Sequence, residues 1–144
     1  MCCTRWSSLA LKQRTLPLTP PISLSQNITF KRAAVLNNGV LSGSIVGSYL
    51  HNNGSYGALV CLAPTAATPL PAGFAQLANN IAQHVVALDP DSTTVLGEQA
   101  YVFDGSRKVA DMIRAESSAL GVPAFVAGFV RFGGGKEVFA TKQA

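Results

Sequence analysis

Two histidines carry nearly all the side-chain chemistry this chain could perform near neutral pH. His51 lies in "GSYLHNNGSYGALVCL" (47–62), at the lip of the turn signal Asn52-Asn53-Gly54, and His84 lies in "IAQHVVALDP" (81–90). A histidine acting as general base needs a nucleophile, and usually an orienting acid, within hydrogen-bond reach. Neither stands at helical spacing from His84, so its ring reads as packing beside a core. The chain has no GxSxG, no HExxH and no paired carboxylates, which leaves no nucleophile-base constellation. The run "FGGGKE" (132–137) is not a phosphate loop. That pattern requires four residues between its glycines and a Ser or Thr after the lysine, so Gly133 to Gly135 read as the end of a strand. Cys2, Cys3 and Cys61 are odd in number and include no CxxC, so neither a disulfide framework nor a zinc site is expected. The inventory excludes an enzyme and implies no cofactor and no metal.

The remaining class is a binding module, and composition limits it further. A chain of 144 residues with 48% hydrophobic content suits one domain with a real core. Charged residues are only 12% and mean hydropathy is +0.27, which argues against disorder. Apolar stretches are interrupted by Pro64, Pro69 and Pro71 or stopped by Arg131, short of the ~18 residues a membrane helix needs. No membrane partner is expected. Charge is uneven: residues 1–88 hold five basic side chains and no acid, and residues 89–144 hold six basic and seven acidic ones. Five charges over that length are too sparse for a basic patch, so specific nucleic-acid binding is not favoured. An RNA- or ribosome-associated module stays as the alternative class.

Residues 1–25, "MCCTRWSSLALKQRTLPLTPPISLS", are acid-free and rich in Ser and Thr with spaced basic residues, the composition of an organelle transit segment. Pro17, Pro20 and Pro21 would stop a helix there, so a disordered, transit-like leader or an unrelated joined segment is expected. The sequons at Asn27 and Asn53 carry no meaning without a secretory signal.

Several elements could position the histidines. "NITFKRAAVL" (27–36) alternates like a half-exposed strand. "SGSIVGSYLH" (42–51) and "SYGALVCL" (55–62) flank Asn53-Gly54, the pair suited to a type I′ turn, and so should be antiparallel neighbours. Phe74, Leu77, Ile81, Val85 and Leu88 make one apolar stripe on a helix ending before Asp89-Pro90. "EQAYVFDGS" (98–106) reads as extended and exposes Val102 and Phe103 just before a turn. Ser106 is placed to cap a helix over 107–120, with Val109, Met112 and Ile113 buried and Gly121 and Pro123 as its stop. "PAFVAGFVRF" (123–132) alternates as a last strand. The predicted fold is α+β: an antiparallel sheet of three to four strands with two helices packed on one face.

Five stretches in order give these elements a further meaning: "NITFKRAA", "VGSYLHNNGSYGALV", "IAQHVVALDP", "YVFDGSRKVADMI" and "GFVRFGGG". Together they resemble the C-terminal core subdomain of elongation factor Ts, with the mitochondrial branch the nearest likeness. The likeness spans residues 26–138 and leaves 139–144 as a tail. Three departures stand out. Gln26 replaces a favoured Glu, Gly105 replaces a proline before Ser, and "GGGKE" replaces an acidic ending. No T-D-F-V segment, the family's element for disturbing the magnesium and nucleotide site, occurs in the chain.

The resemblance implies a dimerisation-domain-like α+β fold and elongation factor Tu as partner. It also implies translation elongation in the mitochondrial matrix, with guanine-nucleotide exchange in the full-length family but doubtful here. The docking residues it implies are His51, with Tyr49 beside it, and Val102 and Phe103. By residue type alone, His51 is equally well a solvated turn histidine. A subdomain with an uncovered apolar sheet edge is also expected to self-associate.

Overall fold

The computed structural model describes residues 34, 36, 43–66 and 68–141, and the elements below all belong to one unit, Val35–Ala144. The strand expected over 27–36 lies outside the described residues except for Ala34 and Leu36, which carry no regular structure. The leader expected over 1–25 also lies outside them.

The turn signal at residues 52–55 folds as its chemistry requires. β1 (Ile45–His51) and β2 (Tyr56–Pro64) pair antiparallel from Ile45↔Leu62 to His51↔Tyr56. Ser55 N–H donates to the Asn52 carbonyl at 3.0 Å, and the central Asn53 and Gly54 have φ of 51° and 83°. Positive φ at both central positions is the demand of a type I′ turn, which Asn and Gly meet at low cost.

β2 then pairs with β5 (Ala124–Gly133), and β5 with β6 (Lys136–Thr141), giving an antiparallel sheet of order β1-β2-β5-β6. The register slips at Cys61/Leu62, where Gly128 and Val126 are the successive partners and Ala127 is the extra residue of a bulge. β6 is an addition to the expected topology. Gly133, Gly134 and Gly135, with φ of 150°, 61° and 78°, end β5 as expected but turn the chain straight back into another strand. That strand runs into residues read above as tail.

The helix α1 (Phe74–Leu88) has the bounds its apolar stripe predicts and buries Phe74, Leu77, Ala78, Ile81, Ala82, His84 and Val85. It lies against β1 and β2 so closely that Gly47 has no room for a side chain, since an added Cβ would sit 2.2 Å from the backbone carbon of Ala78. Asp89 ends the helix in the left-handed region, φ 47°, with its N–H donating to Val85 O.

A short second helix, α2 (Thr93–Glu98), follows, capped by Ser92, whose hydroxyl accepts from Val95 N–H at 3.1 Å. Next come β3 (Ala100–Tyr101) and β4 (Asp104–Lys108), a separate two-stranded ribbon, and then α3 (Val109–Leu120). Ser106 is not the cap of α3. It lies in β4, where its N–H and hydroxyl both bond Asp104 Oδ1, and the cap position falls to Lys108. Val109 and Ile113 are buried, Met112 packs against the core, and Gly121 closes α3 with φ 70°.

Side chains from all three helices meet Ala58, Val60, Leu62, Val126 and Phe129 of the sheet in one core. The expected α+β class therefore holds, with a four-stranded sheet and three helices in place of two.

Candidate protein-docking surface

Tyr49 and His51 are two apart on β1 and so share a face. The Tyr49 hydroxyl lies 3.2 Å from His51 Nδ1, and the rings stack with centroids 6.1 Å apart and planes at 27°. With Tyr56 across the hairpin and Gln83, Val86 and Ala87 of α1, they line a cleft of about 350 Å³. Beneath it the Arg131 guanidinium stands 5.7 Å from the Tyr56 ring centre, a cation–π arrangement.

The Arg131 side chain is only 8% exposed. Its charge is met by Asp89, with Nη1 3.1 Å from Oδ1, and by the Val86 carbonyl, 3.4 Å from Nη2. The approach to Asp89 is an ion pair without hydrogen-bond geometry, and Arg131 Nε has no partner. Lys136 reaches Asp89 Oδ2 and Asp91 Oδ1 at 3.1 Å each, and Asp91 and then Asp89 push its ammonium pKa up. These contacts tie the C-terminal end of α1 to β5 and the start of β6.

Val102 and Phe103 lie next to α1 at His84, to which the Val102 N–H is bonded. Tyr101 pairs with Asp104, so Val102 and Phe103 are the whole loop of a two-residue hairpin. They are 43% and 54% exposed, among the most exposed large apolar residues described. Behind them runs an aromatic ladder. Phe103 meets Tyr101 edge-on at 5.4 Å, and Tyr101 stacks on His84 at 6.1 Å.

His84 is fully buried. Its Nε2 is 3.0 Å from Gln99 Oε1, and its Nδ1 accepts the Val102 N–H at 3.2 Å. Burial pushes its pKa below the ordinary value, a shift partly opposed by Gln99. The expected packing role is thus right as far as it goes, but the ring also holds the exposed hairpin. Sequence gave no signal for that, because its partners lie 15 and 18 residues away.

The structure therefore brings Tyr49 and His51 together beside Gln83, Val86 and Ala87 of α1, and bonds the Val102–Phe103 hairpin to the same helix through His84. No group of three or more His, Cys, Asp or Glu side chains able to hold a metal occurs among the described residues, and no described helix is long and apolar enough to cross a membrane. Cys61 is buried, which raises its thiol pKa and makes it unreactive.

Fold and site together define a small α+β domain that presents two side-chain pairs at its surface. Comparison with known proteins narrows this. The family model Elongation factor TS matches residues 22–95, and the chain belongs to that family. Elongation factor Ts of Nitratidesulfovibrio vulgaris (strain DP4) is 26% identical over 168 aligned residues, covering 85% of this chain and 58% of that protein. The mitochondrial elongation factor Ts of Nematostella vectensis is 30% identical over 116 residues, covering 65% of this chain and 39% of that protein. The chain thus spans roughly half the length of the curated relatives it matches. The family is one of nucleotide-exchange factors and not of enzymes.

Proposed function

We propose that this chain binds elongation factor Tu in the mitochondrial matrix, as the second core subdomain of an elongation factor Ts, using Tyr49, His51, Val102 and Phe103. The observation that carries the reading is the Val102–Phe103 hairpin, an exposed apolar pair whose backbone is held from behind. Ordering side chains on binding costs free energy, and a preformed turn has met that cost before it binds. The acid-free, Ser- and Thr-rich composition of residues 1–25 and the likeness to a mitochondrial relative support the compartment.

Exchange follows from linkage. A partner that prefers nucleotide-free elongation factor Tu weakens GDP binding by the same factor, and a surface contacting both states equally shifts nothing. With no T-D-F-V segment among its 144 residues, the chain contributes docking and little acceleration of GDP release.

The test is calorimetric titration of the full chain into elongation factor Tu, with release of a fluorescent GDP analogue followed on the same samples. Binding that weakens by about 2 kcal/mol on Phe103→Ala, the scale of an interface hot spot, is expected, with release nearly unchanged. Absence of binding, beside a longer family member that binds, refutes the proposal. Salt-sensitive RNA binding in its place would establish the alternative class.

A further inference from the structure

The Val102–Phe103 turn does not support itself. Two-residue hairpin loops favour type I′ or II′ turns, which need positive φ, and β-branched or aromatic residues adopt positive φ at high cost. Neither Val102 nor Phe103 is among the residues with positive φ. The ribbon also slips register between Ala100 and Tyr101, beside the turn. A loop of this kind splays its strands unless something outside it supplies a hold, and the Val102 N–H is bonded to His84 Nδ1.

The proton on His84 is fixed by its hydrogen-bond partners, taken one after another. The Leu88 carbonyl only accepts, and Gln99 Nε2 lies 3.4 Å from it, so the amide nitrogen of Gln99 is the end turned to Leu88. Its Oε1 then faces His84 Nε2 and can only accept, so Nε2 carries the hydrogen and Nδ1 keeps a lone pair for Val102. We propose that His84, as the neutral Nε2–H tautomer, is the positioning residue that holds the Val102–Phe103 turn in its docking shape. The inference rests on that turn being a contact for elongation factor Tu.

The surroundings are consistent with a neutral ring. Tyr101 stacks on it from β3, and burial raises the Tyr101 hydroxyl pKa. Glu116 of α3 acts on Tyr101, while Glu98 of α2 and Lys108 of β4 are exposed and paired with each other. A protonated ring would set an N–H at Nδ1 against the N–H of Val102, two donors facing across the bond that now holds the turn.

The experiment uses the full chain, with His84→Leu, His84→Asn and Phe103→Ala. Without partner, nitrogen NMR reads the His84 tautomer, and hydrogen exchange reads the Val102 amide against the Val60 amide in the sheet. With elongation factor Tu, calorimetry reads affinity. The expected wild-type tautomer is Nε2–H. His84→Leu should speed Val102 exchange selectively and weaken binding roughly tenfold, the worth of about one net hydrogen bond. Asn, whose Oδ1 falls near the position of Nδ1, should recover most of both.

An Nδ1–H tautomer, or a Val102 amide as protected in His84→Leu as in wild type, overturns the proposal. A loosened turn with unchanged affinity in both His84→Leu and Phe103→Ala overturns it through the docking reading instead. The tautomer is read on the unaltered chain, so the proposal stays falsifiable if a variant fails to fold.

Discussion

A single methyl group at Gly47 should separate α1 from the sheet. An alanine Cβ there would lie 2.2 Å from Ala78 C and 2.5 Å from both Ala78 O and Asn79 N. Carbon atoms pack at about 3.5 Å, so the two elements must part by roughly 1 Å. Nothing flexible can absorb this, because the obstruction is backbone on both sides. The same crossing carries the bond from Ser48 N–H to Asn79 Oδ1 at 2.9 Å. Opening it also lifts Phe74, Ile81 and Val85 away from Val60 and Leu62 in the core. Overpacking costs ~1–3 kcal/mol, and rigid neighbours put this case in the upper part of that range. Alanine also restricts the unfolded chain, which returns about 0.5–1 kcal/mol. The net expectation for Gly47→Ala is a loss of about 2 kcal/mol.

Gly57→Ala is the matched control. Its nearest obstacle is Leu50 Cδ2 at 2.9 Å, the tip of a side chain that is 73% exposed and free to turn aside. Only the unfolded-state gain should remain, so Gly57→Ala should be neutral or stabilising by up to ~1 kcal/mol. Urea unfolding of both variants beside wild type measures the difference. Equal stabilities, or Gly47→Ala within about 0.5 kcal/mol of wild type, would refute the close-approach reasoning.

Two further expectations concern charge. The folded-state pKa of His84 lies below its ordinary 6.5, so its neutral form contributes full stability above that pH. The contribution is lost as pH falls through the folded pKa, because the unfolded chain takes up the proton first. Glu98 and Asp104, whose pKa values are lowered from 4.5 and 3.8, lose their pairing only in stronger acid. Thermal melts between pH 7.5 and 5 should therefore show a decline that His84→Asn removes. At the Arg131–Asp89 pair, removing the acid strands a buried guanidinium, while removing the arginine leaves Asp89, 36% exposed, still paired with Lys136. Asp89→Ala should cost about 2 kcal/mol, below the 3–5 of a fully buried pair, and Arg131→Met much less. The opposite order in urea melts would show that Lys136 and solvent dominate the site.

Legibility in the sequence followed the range of the signals. The β1–β2 turn needed only Asn53-Gly54 and the flanking alternation, and α1 needed only its stripe and Asp89-Pro90, all local. α2 was missed because six residues make no stripe and only Leu96 is buried, although Ser92 before Thr93 is a fair capping signal. β6 was missed because a glycine run reads equally as an end and as a hairpin. Ser106 resembled a cap by residue type, but Asp104 two residues earlier took its donors. The side chains at the candidate surface were legible in part. Val102 and Phe103 showed as exposed apolar residues, and Tyr49 and His51 came from family likeness. The hold on Val102 was not legible at all. His84, Gln99 and Leu88 become one chain of donors and acceptors only after the helix, its following loop and the ribbon have folded together.

The pairing of β2 with β5 has a bearing on synthesis. Its innermost pair, Pro64↔Ala124, encloses α1, α2, the ribbon and α3 in one loop, so closing the middle of the sheet is a long-range event that carries the entropy of that whole span. While the chain is being made, β1 and β2 leave the ribosome as a hairpin, and α1 can settle on it at Gly47. The β2 edge finds no partner until β5 begins to emerge at Ala124, and is fully paired only with Gly133. During that interval the nascent chain presents a mostly apolar strand edge, the kind of surface chaperones cover. The protein should be most exposed to misassembly before its synthesis is complete.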